Sequence, residues 1–318
     1  MMACPFSAAT QQVVREALAH RDLGMRPPHE PVPAALLATP AQPLFAALVR
    51  MRDDAGHGEL KAAISAALAS FSDNELCQAT HRVAQQLAPD MLTAEQLTRF
   101  NYALPIGVLA DMLGVAYQER TVLVDNVLDF VRCIAPGGSE QQMARGVIAA
   151  GKLHEWMQAA DGPLFIRLCQ RIGDRSVAIA NAIGLFFQAC EGTAGLLGQT
   201  LLLMQKQDVT VEYGLSSVLQ ETPPIHTTRR FALRDTRLDG EPLVAGQTVL
   251  IALKTEGESF AFGYGSHQCP GSAWAHLIAL GGIRHLLALN MESKLLTHFR
   301  WRVSQNAHVP EFFTAEEQ

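Results

Sequence analysis

The chain has 318 residues, 48% of them hydrophobic and 18% charged, with a formal net charge of −6. This is the composition of a globular chain with a substantial core, and we expect one domain over residues 1–318. No stretch gathers Lys and Arg into the stripe a nucleic-acid partner would need, no apolar run reaches the roughly 18 residues of a membrane span, and the opening MMACPFSAATQQVV lacks the basic-then-apolar pattern of a secretory signal.

Helical signals dominate the first two-thirds. Residues 57–70, 141–160 and 175–205 carry Ala and Leu at helical spacing. Pro27-Pro28, Pro136-Gly137-Gly138 and Asp161-Gly162-Pro163 mark breaks between segments. After Pro223-Pro224 the pattern changes. Residues 225–253 are rich in β-branched side chains, with turn signals at Asp239-Gly240 and Ala245-Gly246, and predict a β hairpin or meander. A Gly-rich loop over 260–271, an apolar helix over about 272–288 and short closing strands complete the layout. The fold class is mainly α with a small β region inserted late.

The six cysteines stand at 4, 77, 133, 169, 190 and 269. They form no CxxC pair and no disulfide framework, as in a reduced, cytoplasmic protein. Cys269 stands apart. It ends the loop Phe260-Ala261-Phe262-Gly263-Tyr264-Gly265-Ser266-His267-Gln268-Cys269-Pro270-Gly271, just ahead of a helix. The glycines allow tight turns and close approach of a flat ligand. A helix N-terminus favours the thiolate over the thiol, and a thiolate so placed is a good axial ligand for heme iron.

The stretch FAFGYGSHQCPG resembles the heme-binding loop of the cytochrome P-450 superfamily, in its bacterial form with His two residues before Cys. The resemblance implies a cytochrome P-450-like fold and a heme b cofactor (iron protoporphyrin IX). Cys269 would be the iron ligand, His267 a propionate contact, and Phe262 the aromatic neighbour of the sulfur, with Gly271 closing the motif. Further segments match in order over about residues 45 to 312. MRDDAGHGELKAA (51–63) resembles the family's C helix, where His57 and Lys61, four residues apart, share one helix face. Arg230, in Thr228-Arg229-Arg230, resembles the propionate-binding arginine of a following strand. Two buried propionates need such partners.

Four departures accompany the likeness. About fifty residues precede the C-helix motif, so the fold is expected to be truncated at the N-terminus, without the family's N-terminal strands. The Glu-x-x-Arg brace is missing, Ser217 and Gln220 standing at its positions, with Glu221 one residue out of register. The long meander is lacking, and residues 253–260 span the gap. In 185–198 (LFFQACEGTAGLLG), the family's adjacent acid and alcohol are broken up: Glu191 and Thr193 flank Gly192. In the family that pair delivers protons, a general-acid task. Glu191, Gly192 and Thr193 are therefore the catalytic candidates. Phe186, Phe187 and Ala189, which precede Gly192, are the substrate-pocket candidates.

The resemblance implies an oxidoreductase, a monooxygenase acting on a small organic molecule in secondary metabolism, with ferredoxin and a reductase as electron partners and neither nucleic acid nor membrane. The broken acid–alcohol pair motivates an alternative: a heme-thiolate enzyme using peroxide or no oxidant, for dehydration, isomerisation or N-heteroatom chemistry. The missing brace and meander motivate a third, a degenerate non-catalytic relative acting through protein contacts.

Overall fold

The structure is a computed structural model that describes residues 4–90, 92–134 and 139–314. The break read at Pro136-Gly137-Gly138 lies outside the described residues. In chain order the elements are β1 (Phe6–Ala8), α1 (Gln11–Ala19), β2 (Leu23–Gly24), α2 (Ala41–Ala47), α3 (His57–Ala69), α4 (Asp73–Leu87) and α5 (Ala94–Leu113). Then come α6 (Arg120–Ile134), α7 (Glu140–Ala159), α8 (Pro163–Ile172), α9 (Arg175–Lys206) and α10 (Val211–Glu221). Strands β3 (Thr227–Ala232), β4 (Thr236–Leu238), β5 (Glu241–Leu243) and β6 (Thr248–Ala252), helix α11 (Ser272–Ala288), and strands β7 (Phe299–Trp301) and β8 (Pro310–Phe312) follow.

The main core is helical and is built around α9. This helix starts on Asp174, whose carboxylate accepts the N–H groups of Ser176 and Val177, a common N-cap arrangement. It is apolar nearly all round, and α5, α8, α10 and α11 pack against it. An 18-residue stretch of α9 reaches a mean hydropathy of 1.2, apolar enough to cross a membrane, yet 67% of that stretch is buried inside the protein. Burial on every face is what an all-round apolar helix requires in a protein core. Pro163, at the first turn of α8, and Gly162, its N-cap, account for the break predicted there.

The second hydrophobic cluster lies under a four-stranded sheet of order β1-β6-β3-β2, with β1 parallel to β6 and the other pairs antiparallel. Two N-terminal strands are thus present, contrary to the expectation from sequence. They are two and three residues long, too short for period-2 alternation to show. The Asp239-Gly240 turn forms the β4–β5 hairpin, both residues adopting positive φ (51° and 78°), as a two-residue loop of that kind demands.

Where the meander was expected to be lacking, β6 runs into a tight turn. Lys254 bridges Ser259, and the Phe260 N–H donates to the Leu253 carbonyl at 2.6 Å. The turn also holds α10. Ser259 Oγ donates to the Leu219 carbonyl at 2.5 Å, and Lys254 Nζ lies 3.3 Å from Glu221 Oε2. Glu221, out of register for the family's brace, finds a different partner on the shortened connection.

Candidate functional site

Helices α3, α9 and α11, the strand β3 and the cysteine loop enclose one cavity. It holds about 1620 Å³ of space outside protein atoms, the open solvent at its mouth included.

The loop owes its shape to two glycines. Gly263 and Gly265 both have φ of 72°, a conformation that L side chains rarely adopt. The Cys269 N–H donates to the Phe262 carbonyl at 2.8 Å, which fixes the sulfur-bearing residue against the aromatic one. Gly271 caps α11 and lines the cavity, and a Cβ built there would meet nothing within 4 Å. The backbone therefore leaves open space beside the thiol. Cys269 is exposed, but what it is exposed to is the cavity it lines.

Burial pushes the Cys269 thiol up, while the Gly271 N–H and the charges of Lys61 and Arg50 pull it down. Burial wins. The helix N-terminus does not by itself produce the thiolate expected from sequence. A metal ion is the agent that deprotonates such a thiol outright.

Around the sulfur stand the other residues of the loop and C-helix motifs. His57, Lys61, Arg230, Phe262 and His267 all line the same cavity. The His57 and His267 rings lie 4.2 Å apart between centroids. His267 Nε2 is 2.9 Å from Asp53 Oδ1, and Asp53 Oδ2 accepts the Met25 N–H at 2.7 Å. Burial raises the Asp53 carboxyl, but His267, the Met25 N–H and the Arg230 charge together bring it below its ordinary value. Lys61 Nζ donates to the carbonyls of Ser266 and Gln268, tying α3 to the cysteine loop. Arg230 is 4% exposed, and its Nη1 donates only to the Arg229 carbonyl and the Thr228 hydroxyl. Burial pushes Arg230 down to about 10, helped by the like charge of Arg50. Two cations thus line the cavity, and among the described residues neither forms a direct ion pair. A group that brings two carboxylates satisfies them, so this donor set fits a heme.

The α9 side of the cavity follows helical period. Leu185, Gln188, Ala189, Gly192, Thr193 and Leu196 face it, at the spacing of one helix face. Of the three pocket candidates only Ala189 lies there. Phe186 and Phe187 point into the core, Phe187 edge-on to Phe130 at 5.5 Å, so neither lines the cavity. Gly192 and Thr193 line it, and the Thr193 hydroxyl is buried with no hydrogen-bond partner. Glu191 does not line it. Its carboxylate turns the other way, 3.0 Å from Arg302 Nε, and Arg302 lies over the Tyr102 ring at 5.5 Å. The carboxylate expected as a proton donor at the cavity is held in an ion pair instead. One residue of a helix turns the side chain by about 100°, which separates Glu191 from Gly192 and Thr193.

Sequence reasoning missed Asp53 and Arg50. Asp53 was legible, standing four residues before His57 in the motif that supplied His57. Arg50 had no such signal. It joins the cavity because the segment 47–50 is drawn onto α9 by Asn181.

No family model matches the chain. It is 23% identical over 283 residues to cytochrome P450 GfsF from Streptomyces halstedii, spanning 74% of this chain and 67% of that protein. Its fold matches P450BioI in complex with hexadec-9Z-enoic acid ligated acyl carrier protein, with a TM-score of 0.78, 17% identity and coverage of 96% of this chain and 90% of the other. The myxobacterial cytochrome P450 CYP267B1 in complex with myristic acid gives 0.78 at 17% identity, over 96% and 88%. CxnD, a P450 for C–S bond formation in chuangxinmycin biosynthesis, gives 0.75 at 17%, over 98% and 87%. The chain is thus similar to a cytochrome P450 in sequence and to several in fold. Its fold is that of the P450s, mainly helical with small sheets.

Proposed function

We propose that the chain is a single-domain heme-thiolate enzyme with heme b in this cavity and Cys269 as its iron ligand. The observation that carries the reading is the convergence of Cys269, His57, Lys61, Arg230, Phe262, His267 and Gly271 on one cavity from three separate parts of the sequence. Lys61, Arg230, His57 and His267 supply the positive and hydrogen-bonding groups for the two propionates. Asp53 holds the His267 ring in place. Phe262 and Gly271 leave a flat space on the sulfur side, and Ala189, Gly192 and Leu196 wall the other with apolar surface that excludes water. When bound, the heme supplies the oxidative chemistry, and the protein supplies ligand, orientation and pocket.

The substrate is a small organic molecule, in keeping with the apolar wall and with the fatty-acyl ligands of P450BioI and CYP267B1. The reaction is a monooxygenation in secondary metabolism, with electrons from ferredoxin and a reductase. Thr193 is the hydroxyl placed to hold and pass a proton at Oγ1.

One observation favours a second reading within the same class. Glu191 is committed to Arg302, so α9 presents a hydroxyl but no carboxylate to the cavity. A heme-thiolate enzyme using peroxide or no external oxidant needs no such acid from α9. Turnover of a panel of small apolar substrates, run with NADPH, ferredoxin and reductase, with hydrogen peroxide, and with neither, separates the two. We expect product with the reductase system. Product with neither electrons nor oxygen contradicts monooxygenation.

A further inference from the structure

The cavity contains one more cation than a heme requires. Arg50, Lys61 and Arg230 all line it, and among the described residues none of the three makes an ion pair. Two propionates match two of these charges. Arg230 and Lys61 are the ones adjoining His57, His267 and the cysteine loop. Arg50 comes from the turn before α3 and makes no hydrogen bond either. Burial presses its guanidinium down, and Glu191, a carboxylate that acts against this, already serves Arg302. A guanidinium surrounded by apolar wall and lacking an anion carries an uncompensated desolvation penalty.

The position of Arg50 is built rather than incidental. Asn181, 2% exposed on α9, accepts the Val49 N–H at 2.9 Å and donates to the Ala47 carbonyl at 3.0 Å. These two bonds fix the backbone on which Arg50 follows directly. Gly184, one turn along α9, lets the segment approach: a Cβ there would fall 2.9 Å from Leu48 Cδ2. Arg50 thereby lines the same cavity as Leu185, Gln188 and Ala189 of α9.

We propose that Arg50 is the anchor for a carboxylate on the substrate, so that the enzyme selects molecules with an apolar body and one anionic end. The guanidinium fork matches a carboxylate in two parallel hydrogen bonds, and the apolar lining of α9 takes the rest of the molecule. This rests on the heme-thiolate reading for its count of propionates, and it names the substrate class of that same site.

The test uses three acid and alcohol pairs of equal skeleton: octanoate and octanol, 4-phenylbutyrate and 4-phenylbutanol, indole-3-acetate and tryptophol. Each is titrated into heme-loaded wild type, Arg50→Gln and Arg50→Lys, reading the Soret shift and the thermal midpoint. At least one acid should bind wild type tenfold or more tighter than its alcohol. Arg50→Gln should abolish that preference while keeping alcohol binding, and Arg50→Lys should keep part of it. Equal binding of every acid and its alcohol by wild type overturns the proposal. So does an Arg50→Gln variant that keeps the preference but loses heme faster to apomyoglobin, which would make Arg50 a propionate partner. A wild type without a Soret band defeats the heme reading instead, and the thermal midpoint with acid against alcohol still decides this one.

Discussion

Two arginines, Arg230 lining the cavity and Arg302 away from it, have opposite surroundings. Arg302 has its carboxylate, Glu191, at 3.0 Å and an aromatic ring beneath it. Arg230, more deeply buried, has only its own strand's carbonyl and a threonine hydroxyl. A buried charge that is matched inside the protein belongs to the architecture. One that is unmatched and faces a cavity is waiting for a ligand, because the protein alone leaves its desolvation uncompensated. The same contrast separates Glu191 from Thr193, two residues apart: the acid is consumed by the fold, the alcohol is left free at the cavity.

The largest effect should come from breaking the matched pair. Arg302→Leu leaves the half-buried Glu191 without its partner, and should destabilise the protein by about 1–3 kcal/mol in chemical denaturation. Adding Glu191→Leu should restore part of that loss, with the heme-loaded spectrum unchanged. A double variant no more stable than Arg302→Leu would break the comparison. Arg230→Gln should behave in the opposite way. The apoprotein should be as stable as wild type or more so, while heme retention falls by roughly 10- to 100-fold, the worth of a charge-assisted hydrogen bond of about 1.5–3 kcal/mol. Loss of apoprotein stability with unaltered heme transfer would show that Arg230 is architectural too.

The reading from sequence divides along the same line. The cysteine loop, α11 and the limits of α9 were legible because glycines, an apolar period and a helix start are local signals. His57, Lys61 and Arg230 came from a resemblance over ordered motifs, and the structure places all three at one cavity. What was not legible depended on contacts distant in sequence. Nothing near Glu191 announces Arg302, nothing near Arg50 announces Asn181, and Phe186 and Phe187 differ from Leu185 and Ala189 only by helix register. The shortened connection was visible, but Lys254 meeting Glu221 across it was not.

Smaller effects sharpen the contrast. The Lys254–Glu221 pair is largely exposed on its Glu221 side, so Lys254→Ala should cost less than about 1 kcal/mol. A loss of several kcal/mol would make this pair a true replacement for the missing brace. His226 stacks on His308 at 3.9 Å, and burial, then the neighbouring ring, lowers its pKa below the ordinary 6.5. The unfolded chain therefore binds a proton there before the folded one does. Its contribution to stability is complete above about pH 6.5 and declines as the pH falls below it. His226→Phe should flatten the stability profile between about pH 5 and 7, and an unchanged slope would remove His226 as its source.

The central claim is that Cys269 is a thiolate ligand to heme iron. It is tested most directly by the absorption spectrum of the reduced, CO-bound protein, compared with Cys269→Ala and Cys269→His. A strongly red-shifted Soret band in wild type, abolished by both substitutions, is the predicted result. An unshifted band in the heme-loaded wild type would contradict it.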